Sequence, residues 1–180
     1  MSLANKISVF RILLSPCIVA SLVYYSPDRD RLRVLTFGLF LVGVLSDAVD
    51  GFIARSKRQQ SQLGAVLDPI ADKVLILSSL ISLSTIRGLP DWMRIPAWFN
   101  LIIISRDAIV VVGVMVIFVI KGVISVKPSY VGKLAVVAQM CIVPIVLLRL
   151  PMKTELLILA AALTVVSGIG YLRAGARLLG

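Results

Sequence analysis

Four carboxylates, Asp47, Asp50, Asp68 and Asp72, stand close together in a strongly apolar chain. An ionised aspartate inside a membrane segment is costly, and such residues mark ion, proton or substrate sites. Asp47 and Asp50 are three apart, and Asp68 and Asp72 are four apart, so each pair shares one face of its helix. The polar stretch between the pairs is short, which makes the two helices antiparallel neighbours and lets all four carboxylates converge. Four anions in a low dielectric need partners. Hard divalent cations with oxygen ligands meet that need. The chain has no histidine and no cysteine near the cluster, which favours Mg²⁺, Mn²⁺ or Ca²⁺. Two ions would neutralise four carboxylates.

Gly51, Ala54 and Gly64 flank the acids. Small residues in a membrane helix allow close helix packing, or here clear space for a flat group against the backbone. Arg55 follows Ala54, and its planar fork suits a phosphate. Metals together with an arginine point to phosphoryl chemistry.

The elements that carry these residues follow from hydropathy. The chain has 180 residues, is 59% hydrophobic, and has a mean hydropathy of +1.01. A membrane span needs about 20 mostly apolar residues. Six spans are expected, over 7–25, 34–54, 63–86, 96–120, 131–148 and 156–172, giving an all-α integral membrane bundle with short loops. One membrane domain, 1–180, is the expectation, because the loops leave no room for a soluble one. Pro16 and Pro69 fall inside spans, as membrane helices tolerate. Pro69, directly after Asp68, is compatible with a local opening of the helix or with a simple kink.

The net charge is +10, and the bases are spread through the chain, so nucleic-acid binding is excluded in favour of positive loops facing an anionic leaflet. Cys17 and Cys141 lie in apolar runs without metal-ligand spacing. The first apolar run lacks a cleavage site and reads as a retained span. Alternate loops carry Lys6, Arg11, Arg55, Lys57, Arg58, Lys121, Lys127, Lys133, Arg173 and Arg177, and these loops contain no acid. They are expected to face the cytoplasm, next to the carboxylate cluster.

With these residues placed, a resemblance follows. The pattern Asp47-x-x-Asp50-Gly51-x-x-Ala54-Arg55, then Gly64, Asp68 and Asp72 at their spacing, is similar to the full signature of the CDP-alcohol phosphotransferase family. Asn5, Arg11 and Pro16 near the start, and Gly132-Lys133 with Gln139, extend the likeness. Within the family it is greatest to bacterial phosphatidylglycerophosphate synthases, and it reaches cardiolipin synthases of the CMP-forming type. The resemblance implies transfer of a phosphatidyl group from CDP-diacylglycerol to an alcohol, with CMP released. Glycerol 3-phosphate is the expected acceptor, and phosphatidylglycerol the alternative. It implies Asp47, Asp50, Asp68 and Asp72 as metal ligands for Mg²⁺ or Mn²⁺, two ions in all, with Asp72 as the base. Gly51, Ala54, Gly64 and Asn5 would border the CDP-lipid, and Arg55 would contact the diphosphate. Arg106, Lys133 and Arg11 are candidates for the acceptor, against the plainer readings of an Arg106–Asp107 network and of interface-snorkelling basic side chains. One departure stands out. The glycerophosphate enzymes usually carry a glutamate after the arginine of the fourth span and a second arginine beyond it, whereas Asp107 follows Arg106 here and no second arginine follows. The family also implies a homodimer in the inner, cytoplasmic membrane. A cation-coupled transporter is the rival from another class, but no inverted repeat is visible and the cluster lies towards one side rather than at the midplane.

Overall fold

The computed structural model describes the backbone of residues 3–57, 62–121 and 129–179, and the side chains of 6–46, 69–120 and 129–177. Six α-helices and one 3₁₀ turn account for most of the described backbone. They are α1 (Leu3–Val23), a 3₁₀ turn (Pro27–Arg29), α2 (Arg31–Lys57), α3 (Gln62–Thr85), α4 (Ala97–Lys121), α5 (Tyr130–Leu147) and α6 (Lys153–Leu179). All six expected segments are helical, and α1, α3 and α5 run through Pro16, Pro69 and Pro144.

Among the described residues, four helices are long and apolar enough to cross a membrane: α1 over Lys6–Val23, α4 over Ala97–Ile120, α5 over Tyr130–Leu147 and α6 over Lys153–Arg177. Helices α2 and α3 carry the charged residues of the signature, Asp47, Asp50 and Arg55 on one and Asp68, Asp72 and Lys73 on the other, and their side chains are described over only part of each helix. Helix α6 runs past the expected end at Leu172 to Leu179. No proline follows Leu172, and Arg173 and Arg177 are cations near the C-terminus of the helix, where its dipole favours them.

The chain forms two compact units, Met1–Ile95 with Val143–Leu150, and Pro96–Ile142 with Pro151–Gly180. In the first, α1 packs along both α2 and α3. Its buried residues, Ser8, Arg11, Leu14, Ser15, Ile18, Ser21 and Leu22, form one helical stripe. The stripe mixes serines and an arginine with aliphatics, while Val9, Phe10, Leu13 and Val23 are exposed. This is the membrane arrangement, in which small and polar residues mediate helix contact and apolar ones face lipid. Ser21 Oγ and Thr36 Oγ1, 2.7 Å apart, join α1 to α2.

One end of this unit is fastened by ions. Arg33 donates to both oxygens of Asp30, at 2.8 and 2.7 Å, and to the Leu147 carbonyl at the end of α5. Arg149 Nη2 lies 2.9 Å from Asp30 Oδ1, and its guanidinium sits 4.5 Å from the Trp92 ring centre. Hydrogen bonding from Arg33, with Arg149 adding to it, holds the Asp30 carboxyl below its ordinary range. Arg149 has φ 59°. The amides of Arg149 and Leu150 bond back to Val146 and Ile145, the pattern that closes a helix with a left-handed residue, usually glycine.

In the second unit α4 and α6 pack on each other. Gln139 of α5 donates to Thr164 Oγ1 of α6 at 2.9 Å. Phe99, Ile103, Ile117, Ala160 and Thr164 are buried, whereas Leu101, Val119 and Ile158 are largely exposed.

Candidate active site

The carboxylates sit on α2 and α3, and one close approach sets their register. Gly43 of α2 lies against Leu75 of α3, so near that an added Cβ would be 2.8 Å from Leu75 Cδ2. The two helices are antiparallel, and both advance about 1.5 Å per residue. Counting away from Gly43 and Leu75 therefore brings position 47 level with 71, and 50 level with 68. Backbone register alone puts all four aspartate positions within about a turn of one another. The side chains of Asp47, Asp50 and Asp68 lie outside the described residues, as do those of Asn5, Gly51, Ala54, Arg55 and Gly64. Among the described residues no group of three or more metal-ligating side chains occurs, since of the four acids only the Asp72 side chain is described.

Asp72 is partly exposed and forms an ion pair with Nη1 of Arg11, a side chain of α1 that is completely buried. A buried guanidinium needs such a partner, because the desolvation of an unpaired charge costs several kcal/mol. Arg11 is thus not a residue snorkelling to the interface. It reaches from α1 to the carboxylate signature on α3. The donor set offered by the four aspartates is all oxygen, which fits a hard divalent cation.

Arg106 and Lys133 lie in the second unit and close to each other in the fold. Arg106, with 12% of its side chain exposed, donates to Asp107 Oδ1 at 2.8 Å and to Ser167 Oγ at 3.0 Å. Its guanidinium carbon is 5.1 Å from the Tyr171 ring centre. Its Nε is buried and has no hydrogen-bond partner among the described residues. Gly132 adjoins this cluster, and a Cβ there would lie 2.9 Å from Arg106 Nη2, 3.0 Å from Ser167 Oγ and 3.1 Å from Ser129 Oγ. Ser129 caps α5 by accepting from the Gly132 N–H at 3.0 Å. Lys133 is exposed, with its ammonium 5.8 Å from the Tyr130 ring centre.

Both readings of Arg106 thus meet. It belongs to a structural network with Asp107, and it also stands beside a helix N-terminus and a lysine, surroundings suited to an anion. Ser129, Ser167 and Tyr171 join this cluster without having been visible as site residues. Serine three residues before Gly132 carried an N-cap signal. Ser167 and Tyr171 reveal themselves only through their spacing of four on a helix that meets α4.

The model of the CDP-alcohol phosphatidyltransferase family matches residues 1–166, which include the signature, Arg106 and Lys133. The chain belongs to this family. It is accordingly a CMP-releasing transferase of phospholipid biosynthesis, and the substrates of the family are CDP-diacylglycerol and an alcohol. The family is in general dependent on a divalent metal. Several apolar helices agree with a membrane location. A relative from Mycobacterium tuberculosis (strain H37Rv), named "Probable phosphatidylglycerophosphate synthase", is 32% identical over 99% of this chain and 84% of its own length. A CDP-diacylglycerol–glycerol-3-phosphate 3-phosphatidyltransferase from Salmonella choleraesuis is 32% identical over 96% of this chain and 94% of its own. A Mycobacterium bovis protein named "Putative cardiolipin synthase" is 32% identical over 82% of this chain and 65% of its own.

Proposed function

We propose that this phosphatidyltransferase moves the phosphatidyl group of CDP-diacylglycerol to glycerol 3-phosphate, forming phosphatidylglycerophosphate and releasing CMP. The observation that supports the reading is the family match together with full-length relatives named for transfer to glycerol 3-phosphate, and the Gly43–Leu75 approach is compatible with the four aspartate positions lying at one level. Asp47, Asp50, Asp68 and Asp72 would hold Mg²⁺ or Mn²⁺, two ions in all. When bound, such ions stabilise negative charge on the diphosphate and on departing CMP.

The chain's own residues do the rest. Gly51, Ala54 and Gly64 border the cytidine, Asn5 contributes to the CDP-lipid site, and Arg55 orients the diphosphate. Asp72 accepts the proton of the acceptor hydroxyl, and Arg11 holds that carboxylate in place from α1. Arg106 and Lys133 bind the phosphate of the acceptor. Asp107 leaves the Arg106 Nε unpaired, which supports a further acceptor at that nitrogen. The whole chain acts as one catalytic domain of six membrane-spanning helices in the inner membrane. Its active site faces the cytoplasm, and it works as a homodimer.

A second reading has an observation of its own. A cavity of about 320 Å³ adjoins Arg106, lined mostly by apolar or small residues such as Leu101, Ile109, Val165, Gly168 and Leu172. Such a lining suits the acyl chain of a lipid acceptor, as a cardiolipin synthase using phosphatidylglycerol would require. One experiment separates the two. Purified protein in detergent with Mg²⁺ and CDP-diacylglycerol is offered glycerol 3-phosphate, phosphatidylglycerol, inositol phosphate or serine, and CMP release is measured. Turnover with glycerol 3-phosphate is expected. Turnover with phosphatidylglycerol alone would replace the first reading by the second, and turnover with only inositol phosphate or serine would remove both.

A further inference from the structure

We infer that Tyr171 is a positioning residue for the acceptor site, setting where Arg106 and Lys133 stand relative to each other. The inference rests on the reading of Arg106 as a ligand of the acceptor's phosphate. Tyr171 lies four residues after Ser167 on α6, so both side chains face the same way along the helix. Both meet Arg106 of α4. Ser167 Oγ accepts from Nη2 at 3.0 Å, and the Tyr171 ring lies 5.1 Å from the guanidinium carbon. The other end of Tyr171 reaches a third helix. Its hydroxyl oxygen accepts from the Ser129 N–H at 3.4 Å. Ser129 is the cap of α5, accepting from Gly132 through its side chain and from the Lys133 N–H through its carbonyl at 3.2 Å.

One aromatic side chain therefore touches both halves of the anion site. Its face holds the guanidinium, and its hydroxyl holds the turn from which Lys133 projects. A guanidinium is free to swing about its long stem unless it is held. The aromatic face fixes the plane of the fork, and Gly132 leaves the room the fork occupies. This division of labour makes a specific prediction about kinetics. Loss of Tyr171 should weaken recognition of the acceptor and leave the CDP-lipid half, on α2 and α3, alone.

The test uses full-length enzyme in detergent with CDP-diacylglycerol and glycerol 3-phosphate. Tyr171→Leu removes both the face and the hydroxyl, and is expected to raise the acceptor KM about 3- to 20-fold. The KM for CDP-diacylglycerol and kcat should stay within about twofold. Tyr171→Phe keeps the face and should raise the acceptor KM by no more than about threefold. Tyr171→Trp keeps a face and should fall nearer to Phe than to Leu. Should Tyr171→Leu not give monodisperse protein, Tyr171→Met takes its place with similar bulk and no aromatic face. An unchanged acceptor KM in Leu or Met, or an equal rise for donor and acceptor, would overturn the inference. So would failure of Phe and Trp to recover what Leu loses. Arg106→Ala separates the two levels. If it leaves the acceptor KM unchanged, the acceptor reading itself is wrong. If it raises that KM while Tyr171→Leu does not, only the role of Tyr171 is wrong.

Discussion

Gly43→Ala would place a methyl group 2.8 Å from Leu75 Cδ2 and 3.2 Å from Cδ1. Carbon atoms pack best at about 3.5–4.0 Å. Either α2 and α3 part by roughly 0.7–1.2 Å at this level, or Leu75 leaves its rotamer at a cost of about 0.5–1.5 kcal/mol. Leu75 is 1% exposed, so the surrounding core gives it little room. Overpacking of this kind costs about 1–3 kcal/mol, and alanine in place of glycine inside a helix returns about 1 kcal/mol. Stability should therefore fall by no more than about 2 kcal/mol. The effect on metal binding should be larger. Asp47 is one turn from Gly43, about 6 Å along the helix. Metal–oxygen distances tolerate only about 0.2 Å, so a parting of the helices several times that size disturbs the site. The Mg²⁺ concentration for half-maximal CMP release should rise about 10- to 100-fold. Adding Leu75→Val to Gly43→Ala removes the clashing methyl and should recover most of that loss. Thermal unfolding in detergent and Mg²⁺ titration of activity measure the two effects. A Gly43→Ala enzyme with wild-type Mg²⁺ dependence, or one made more stable, would refute the close approach as the determinant of the site.

Asp72→Asn should lower kcat by about 10²–10⁴ if Asp72 is the base, with the CDP-lipid still bound in an equilibrium assay; normal turnover would remove it from that role. Gly132→Ala should push the Arg106 fork off Ser167 and raise the acceptor KM about tenfold, a charge-assisted hydrogen bond being worth about 1.5–3 kcal/mol, with little change in the donor KM. Asp30 titrates lower folded than unfolded, so its stabilisation is complete above the ordinary aspartate value and is lost as pH falls through the depressed one. A melting-temperature profile should accordingly drop less steeply at the acid end in Asp30→Asn than in wild type. Arg149→Ala should destabilise by about 1 kcal/mol through loss of the Trp92 and Asp30 contacts. Arg149→Gly should be nearly neutral, because glycine relieves the positive φ by about 1 kcal/mol. Equal melting temperatures for the Ala and Gly variants would contradict that account.

The six helices were legible because each is a long apolar run between polar breaks, and the family was legible because its signature residues stand at fixed spacing on two successive helices. The cluster around Arg106 was harder to read. Arg106 and Lys133 stood out as charges in apolar surroundings, but Ser129, Ser167 and Tyr171 are unremarkable residue types in such a chain. Their part depends on α4, the start of α5 and α6 meeting at one place. Arg11 was ambiguous for a similar reason. An arginine one turn into a membrane helix can snorkel to water or turn inward, and only its burial against Asp72 decides for the latter. Which face of each helix is buried was also hidden. Lipid is as apolar as a protein core, so α1 shows no polarity contrast favouring an apolar interior, and its buried stripe is richer in serine than its exposed side.

The sequence by itself determined the class of chemistry, because eight residues of four types at fixed intervals on two successive helices leave few arrangements open to them. It determined the number and order of the helices, because hydropathy and loop length are local properties. The tertiary structure decided the register, through a missing side chain at Gly43 that lets Leu75 approach. It also decided the partner of Asp72, and the cluster around Arg106. Each of these rests on atoms far apart in the chain whose distance no local pattern encodes.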